Sequence, residues 1–296
     1  MGTQSPGARL RAAWSERPIM IPGAFNALTA RLAERLGFKA VYLSGGALSA
    51  GWAGLPDIGL LSLTEFAEQA AVLARATSLP VLCDADTGFG EAINVERTVR
   101  LYEAAGVAGL HLEDQILPKR CGHLSGKGLV DVATMSSKIR AAVAARRDPD
   151  FVIIARTDAR SVEGFDAAVD RANAYLNAGA DMIFPEALET AEEFARFAEH
   201  IKAPLIANMT EFGKSPLLPL DQLGAMGYRA VLYPLTAFRA AMRAAELTLT
   251  TLQSLGTQAG LLDQMQTRAQ LYDLLGYTDW ERKDLSYFGE SKSSEA

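Results

Sequence analysis

The segment Lys119-Arg120-Cys121-Gly122-His123 sets a thiol among two cations and an imidazole. Flanking positive charge favours a thiolate, so this spacing predicts a Cys121 pKa lowered toward neutrality. A thiol that titrates near neutral pH can give or take a proton in catalysis. Solvated surface charge would account for Lys119 and Arg120, but not for a cysteine and a histidine beside them in a glycine-rich loop. Cys83, the only other cysteine, lies inside an apolar run and reads as core packing. Two isolated cysteines exclude a disulfide scaffold and any CxxC redox or zinc motif.

Asp84 and Asp86 form a second constellation. Two residues apart on an extended chain, both side chains point the same way. Carboxylates that close repel, and a hard divalent cation relieves the repulsion. Mg²⁺ typically takes one or two carboxylates and keeps waters and substrate oxygens for the rest of its shell. A helix cap or solvent exposure could explain Asp84 alone. Glu113 and Glu186, each ending another apolar run, make the metal the better reading.

Eight short apolar runs recur along the 296 residues: Ile19–Pro22, Ala40–Ser44, Pro80–Asp84, Ala108–Glu113, Phe151–Arg156, Asp181–Pro185, Pro204–Asn208 and Ala230–Pro234. Between them, apolar residues fall at three- and four-residue spacing, predicting helices over Ala27–Leu36, Leu63–Ala76, Ile93–Ala105, Asp166–Ala178, Thr190–His200 and Pro219–Met226. Nearly all-apolar strands suit a parallel sheet buried on both faces. Eight such units without a linker favour a closed (β/α)8 barrel over an open doubly wound sheet. The dinucleotide-binding alternative fails because Gly88-Phe89-Gly90 lacks its third glycine. The expected organisation is a single barrel domain over 1–296, with a helical extension at about 238–290. That extension is apolar on one face and suited to packing on a neighbouring subunit. The ends, Met1–Gly7 and Gly289–Ala296, read as loose.

In such barrels chemistry sits at the carboxyl ends of the strands. Six of the runs end in polar residues: Tyr42-Leu-Ser44, Asp84-Ala-Asp86, His111-Leu-Glu113-Asp114, Arg156-Thr-Asp158, Pro185-Glu186 and Asn208-Met-Thr210. Asp114–Val130 is long and irregular, the mark of a lid or binding loop.

Composition bounds the partners. Lys plus Arg is 29 and Asp plus Glu 35, for a formal charge of −6. An acidic chain without a basic tract is a poor candidate for nucleic acid or an anionic membrane. No run is apolar enough for a span, and no signal-type stretch precedes the first strand. A cytoplasmic, thiol-reducing location is expected.

The motifs YLSGG, LPDIG, CDADTGFG, HLEDQ, KRCGH, ARTDA, FPEA and NMTEFG, in this order from about Arg17 to Phe288, resemble the isocitrate lyase/phosphoenolpyruvate mutase superfamily, and within it the 2-methylisocitrate lyases. The resemblance implies a (β/α)8 barrel whose last helix is exchanged between subunits, in dimers that pair into tetramers. It implies Mg²⁺ or Mn²⁺ held through Asp84 and Asp86, with Asp57 and Glu113 in the outer shell. The implied activity is that of an oxo-acid lyase of the methylcitrate cycle, taking a small tricarboxylate, 2-methylisocitrate, to pyruvate and succinate. Cys121 would protonate the succinate carbanion, and Tyr42 is the candidate base for the hydroxyl. Arg156 and His123 complete the catalytic set. Substrate-binding positions would be Ser44, Gly45, Gly46, Lys119, Arg120, Gly122, Arg156, Glu186, Asn208 and Thr210, with Phe184 and Leu232 beside the substrate methyl. Isocitrate lyase, or another 2-hydroxy or 2-oxo acid lyase or decarboxylase of the superfamily, is the alternative. The decarboxylases and mutases lack the Cys-Gly-His.

Overall fold

The computed structural model describes residues 4–288. Eight strands follow in order: β1 (Ile19–Pro22), β2 (Val41–Leu43), β3 (Val81–Asp84), β4 (Gly109–Glu113), β5 (Val152–Thr157), β6 (Met182–Pro185), β7 (Ile206–Asn208) and β8 (Ala230–Tyr233). All pair in parallel, β2 through β6 in one run and β7, β8 and β1 in another. Single parallel bridges, Gly23 to Tyr42 and Ile183 to Leu205, join the two runs, so the sheet closes as the expected barrel.

The two-residue period of a strand decides what the barrel encloses. One phase of side chains, Val41, Leu43, Val81, Cys83, Leu110, Leu112, Ile153, Ala155 and Val231, packs outward in the larger apolar cluster with the helices. The other phase points inward. Near the amino ends it is apolar, with Ile19, Ile21, Leu82, Val152, Ile154, Met182 and Ile206. Continued by two residues on each strand, the same phase becomes Asp84 and Asp86, His111 and Glu113, Arg156 and Asp158, Glu186, and Asn208 and Thr210. Leu10 and Trp14 of α1 (Pro6–Glu16) join the inner apolar cluster.

The helices α2 (Ala27–Arg35), α4 (Leu63–Ala76), α5 (Ala92–Ala104), α7 (Phe165–Asn177), α8 (Ala191–His200) and α9 (Leu220–Met226) match the spans read from periodicity to within a residue or two, counting α3 (Gly45–Ala53) and α6 (Val132–Ala145) as additions. α3 was hidden because Gly-Gly-Ala-Leu-Ser-Ala-Gly has poor helix propensity; Ser44 caps it. At the amino end, Pro6 and Gly7 are helical rather than loose, because Ser5 caps α1 and Gly7 lies against the Asp150 carbonyl, where a Cβ would come within 2.3 Å. Residues 1–3 and the segment Gly289–Ala296 lie outside the described residues.

The chain divides into a unit ending at Arg239, which contains the barrel, and a unit beginning at Ala240. The second unit carries most of α10 (Thr236–Leu255), then α11 (Arg268–Leu275) and α12 (Tyr277–Ser286). No residue of α10 is buried, and Leu247, Leu249, Leu255, Tyr272, Tyr277, Trp280 and Leu285 are exposed in this chain. Among the described residues no helix is long and apolar enough to cross a membrane.

Candidate active site

Many of the inward residues at the carboxyl ends line one cavity of about 60 Å³. Its walls include Tyr42, Ser44, Gly46, Asp57, Asp84, Lys119, Arg120, Cys121, Gly122, His123, Arg156, Phe184, Glu186, Asn208, Thr210 and Leu232. Gly45, Asp86 and Glu113 do not line it but each bonds to a residue that does. A wider cleft of about 340 Å³ opens elsewhere, beside Pro18, Phe38 and Leu220, but it carries none of the strand-end groups.

Asp84 is held from several sides. The N–H of Gly45, at the start of α3, donates to Oδ2 at 3.1 Å, and the N–H of Asp86 donates to Oδ1 at 2.9 Å. A Cβ on Gly45 would lie 2.8 Å from Asp84 Oδ2, so the close approach of the helix end requires glycine. Burial opposes charge on Asp84, but His111, Lys119 and Arg156 hold its carboxyl below the usual range. Asp86 goes the other way. Burial, with Asp84 and Asp57 nearby, raises it to about 7 against the pull of Lys119. Its φ of 44° turns the chain sharply after the strand.

Lys119 is buried, with Nζ 2.7 Å from Asp86 and paired also with Asp57. Arg156 lies 3.3 Å from Glu113, 3.0 Å from Asp158 and 3.4 Å from Glu186. Glu186 stays below the usual carboxylate range despite burial, because Arg156 and His123 face it. His123 Nε2 is 2.8 Å from Glu186, and its Nδ1 accepts the N–H of Lys214 at 2.9 Å. Asn208 Nδ2 reaches Glu186 at 3.3 Å.

Two readings of the sequence change here. The Cys121 pKa is raised, not lowered: burial and the Glu186 charge outweigh the N–H of His123 and the charge of Arg156. The cations beside it in sequence are spent elsewhere. Lys119 turns to Asp57 and Asp86, while the backbone of Arg120 is clamped by the Gln115 amide and its guanidinium reaches the Ser125 carbonyl. Cys121 is therefore a protonated thiol at rest. Tyr42 is likewise a protonated phenol, pushed well up by burial and by Asp84, and not the ready base that the sequence suggested. Its Oη lies 2.7 Å from Nε2 of His111, a strand-end residue whose place beneath Tyr42 the sequence did not disclose. Burial lowers His111 to about 4, so the ring is neutral at neutral pH.

Asp57, Asp84, Asp86, Glu113, Asp158 and Glu186 pair with Lys119, Lys127 and Arg156 and with the imidazoles of His111 and His123, so the acidic groups outnumber the lysines and arginine that face them. Glu113 Oε1 is buried without a hydrogen-bond partner. Crowded hard oxygens with one left unpaired suit a divalent cation. Among the described residues no three His, Cys, Asp or Glu side chains converge as a complete cage.

Residues 10–253 match the family described as phosphoenolpyruvate phosphomutase. The 2-methylisocitrate lyase of Aeropyrum pernix is 52% identical over 282 residues, covering 95% of this chain and 91% of the relative. The chain belongs to the phosphoenolpyruvate mutase/isocitrate lyase superfamily, in the family of the 2-methylisocitrate lyases. Among solved structures, 2,3-dimethylmalate lyase superposes with a TM-score of 0.91 at 34% identity, covering 100% of this chain and 99% of that one. Phosphonopyruvate hydrolase in complex with oxalate and Mg²⁺ gives 0.87 at 33% identity, covering 96% and 100%. Neighbours of one fold with different reactions show that the barrel alone does not select the chemistry.

Proposed function

We propose that this chain is a metal-dependent carbon–carbon lyase that cleaves 2-methylisocitrate to pyruvate and succinate. The observation that carries the reading is Cys121: a thiol kept protonated, on a loop that walls the same cavity as Arg156, Asp84 and Glu186. A decarboxylase or mutase on this barrel needs no such acid.

The reaction removes the C2 hydroxyl proton, breaks the C2–C3 bond and leaves an electron pair on the succinate carbon beside a carboxylate. Asp84 and Asp86, with Asp57 and Glu113 behind them, would hold Mg²⁺ or Mn²⁺, which would lower the cost of charge on the hydroxyl and its neighbouring carboxylate. The chain's own groups do the rest. Arg156, Arg120 and His123, with Asn208 and Thr210, offer donors for the substrate carboxylates and for the developing charge. At the N-terminus of α3, Ser44 and Gly46 line the cavity and offer donors to an anion, while the N–H of Gly45 between them is taken by Asp84. Tyr42 stands beside Asp84 with its Oη 2.7 Å from Nε2 of neutral His111, so the hydroxyl proton can pass to Tyr42 Oη as the phenol's own proton passes to that nitrogen. The proton on Cys121 Sγ passes to the succinate carbon. Phe184 and Leu232 give the cavity an apolar wall for the C2 methyl.

The same reading places the protein in the cytoplasm as a homo-oligomer, a tetramer of helix-exchanged dimers. The exposed apolar residues of the unit beginning at Ala240 support it, since a partner's surface would cover them. The decisive assay incubates the protein with Mg²⁺ and, separately, methylisocitrate, isocitrate and oxaloacetate, and measures pyruvate, glyoxylate and oxalate. Pyruvate from methylisocitrate is expected. Turnover of isocitrate or oxaloacetate alone would refute the assignment.

A further inference from the structure

We propose that Lys127 is the latch of the Cys121 loop, a positioning residue that holds the thiol in place through Gly122 and Asp158. Lys127 Nζ lies 2.7 Å from Asp158 Oδ1 and also donates to the carbonyl of Gly122, the residue next to Cys121. The side chains of Lys127 and Asp158 are 1% and 0% exposed, although Leu124, Ser125 and Gly126 between Gly122 and Lys127 are in solvent. A buried ammonium thus closes a loop whose exposed tip is tied besides by Arg120 at the Ser125 carbonyl and by the Leu124 N–H at the Cys121 carbonyl. A charge-assisted bond in such surroundings is strong and directional.

The anchor is rigid. Asp158 Oδ2 is 3.0 Å from Arg156 Nε, and the Asp158 N–H donates to Asp114 at 2.9 Å. Asp114 in turn accepts from Thr157 and Tyr175, each at 2.8 Å. On the loop side, Gly122 rests directly on the catalytic cluster. A Cβ there would come within 2.4 Å of Glu186 and 2.5 Å of Arg156. Lys127 itself does not line the cavity, so it acts on the reaction through its neighbours, Gly122 beside Cys121 on the loop and Asp158 beneath Arg156. Arg156 shares Asp158 with Lys127, so the latch and the substrate's principal cation stand on one carboxylate.

The use of the loop in catalysis rests on the lyase reading; the latch does not. The test is Lys127→Met in the full-length chain, with Lys127→Gln as the milder change should the first fail to fold. Asp158 keeps Arg156 as a counter-charge in both variants. Iodoacetamide without substrate is the first probe. Cys121 is expected to alkylate about tenfold faster or more as local opening becomes easier, while buried Cys83 stays unreactive. Turnover is the second. kcat for methylisocitrate should fall by about 100-fold with KM changed little, as expected when a reacting group is misplaced but binding groups remain. Wild-type alkylation rates at Cys121 would overturn the latch, as would equal acceleration at Cys83, which would report general loosening. Faster Cys121 alkylation with kcat intact would overturn the positioning role. A wild-type protein inert toward methylisocitrate, with the alkylation difference still present, would sink the lyase reading and leave the latch standing.

Discussion

Gly45 donates its backbone N–H to Asp84 Oδ2 at 3.1 Å, which ties the first turn of α3 to the end of β3. The bond fixes the start of α3 against a carboxylate that lines the cavity. In the proposed function, it is backbone and not flexible side chains that would set the substrate-facing end of α3 beside the metal ligand Asp84.

Gly45→Ala is predicted to break that junction. The added methyl would meet Asp84 Oδ2 at 2.8 Å and Phe66 Cζ at 3.2 Å, so α3 or Asp84 must shift. A displacement of about 1 Å at a positioning group costs on the order of 100-fold in rate. Gly37→Ala is the steric control: open space surrounds that position, although its positive φ carries some strain of its own. kcat/KM and Mg²⁺ affinity of Gly45→Ala near the wild-type values would refute the argument.

Cation binding should depend on pH through Asp86, whose carboxyl is raised to about 7 by burial and by its acidic neighbours. Its proton must leave before a cation takes the oxygen. Affinity should therefore fall below pH 7, by up to about tenfold per unit. Between the ordinary value of 3.8 and about 7 the folded state holds the extra proton. Asp86 thus costs the metal-free protein stability as pH rises through that window. Mg²⁺ should accordingly raise the melting temperature more at higher pH. Calorimetric titration across this range checks both signs; a flat affinity would remove Asp86 from the cation site.

How much of this was legible follows from the forces involved. Strand positions came through because a buried parallel strand is apolar on both faces, and the polar strand ends stood out against that background. Asp84 and Asp86, Glu113, Arg156 and Glu186 were found in this way. Charge pairing was not legible, because partners are chosen by the fold and not by adjacency. Lys119 meets Asp57 from 62 positions away, and His111 meets Tyr42 from 69. For the same reason the sequence assigned Cys121 the wrong direction of pKa shift. α3 was invisible because its glycines serve close approach to Asp84 and Asp57, not helix propensity. Lys127 lies beyond the motif that drew notice, and its burial is a property of the closed loop alone.

Assembly should depend on the segment beginning at Ala240. Its many exposed apolar side chains are what a subunit interface would cover. A chain truncated before Gly260 should aggregate or dissociate, and the intact protein should scatter light as an oligomer. A stable monomer at micromolar concentration would remove the exchanged helix from the proposal.

Substrate choice should follow the apolar wall. Phe184 and Leu232 border the cavity, and one methyl-sized group in such a pocket is worth roughly 1–3 kcal/mol. Methylisocitrate should exceed isocitrate in kcat/KM by about 10- to 200-fold. Equal values would favour isocitrate lyase activity.

The sharpest prediction concerns Cys121→Ser. Burial and Glu186 hold the thiol protonated, so it is charged with a proton before the carbanion forms. A serine hydroxyl is isosteric enough to leave the loop on Gly122 and Lys127, but it is a far weaker acid. Substrate should bind nearly as before, while proton delivery fails. Positioned acids and bases typically contribute about 10²–10⁴ in rate, so kcat should fall by at least about 100-fold with KM little changed. Cys83→Ser is the control. That thiol is fully buried among outward-facing strand and helix side chains, so the substitution should lower stability modestly and spare kcat. A Cys121→Ser enzyme with more than about half the wild-type kcat would take the thiol out of the reaction, since no general acid contributes so little. The case for a lyase over a decarboxylase would go with it.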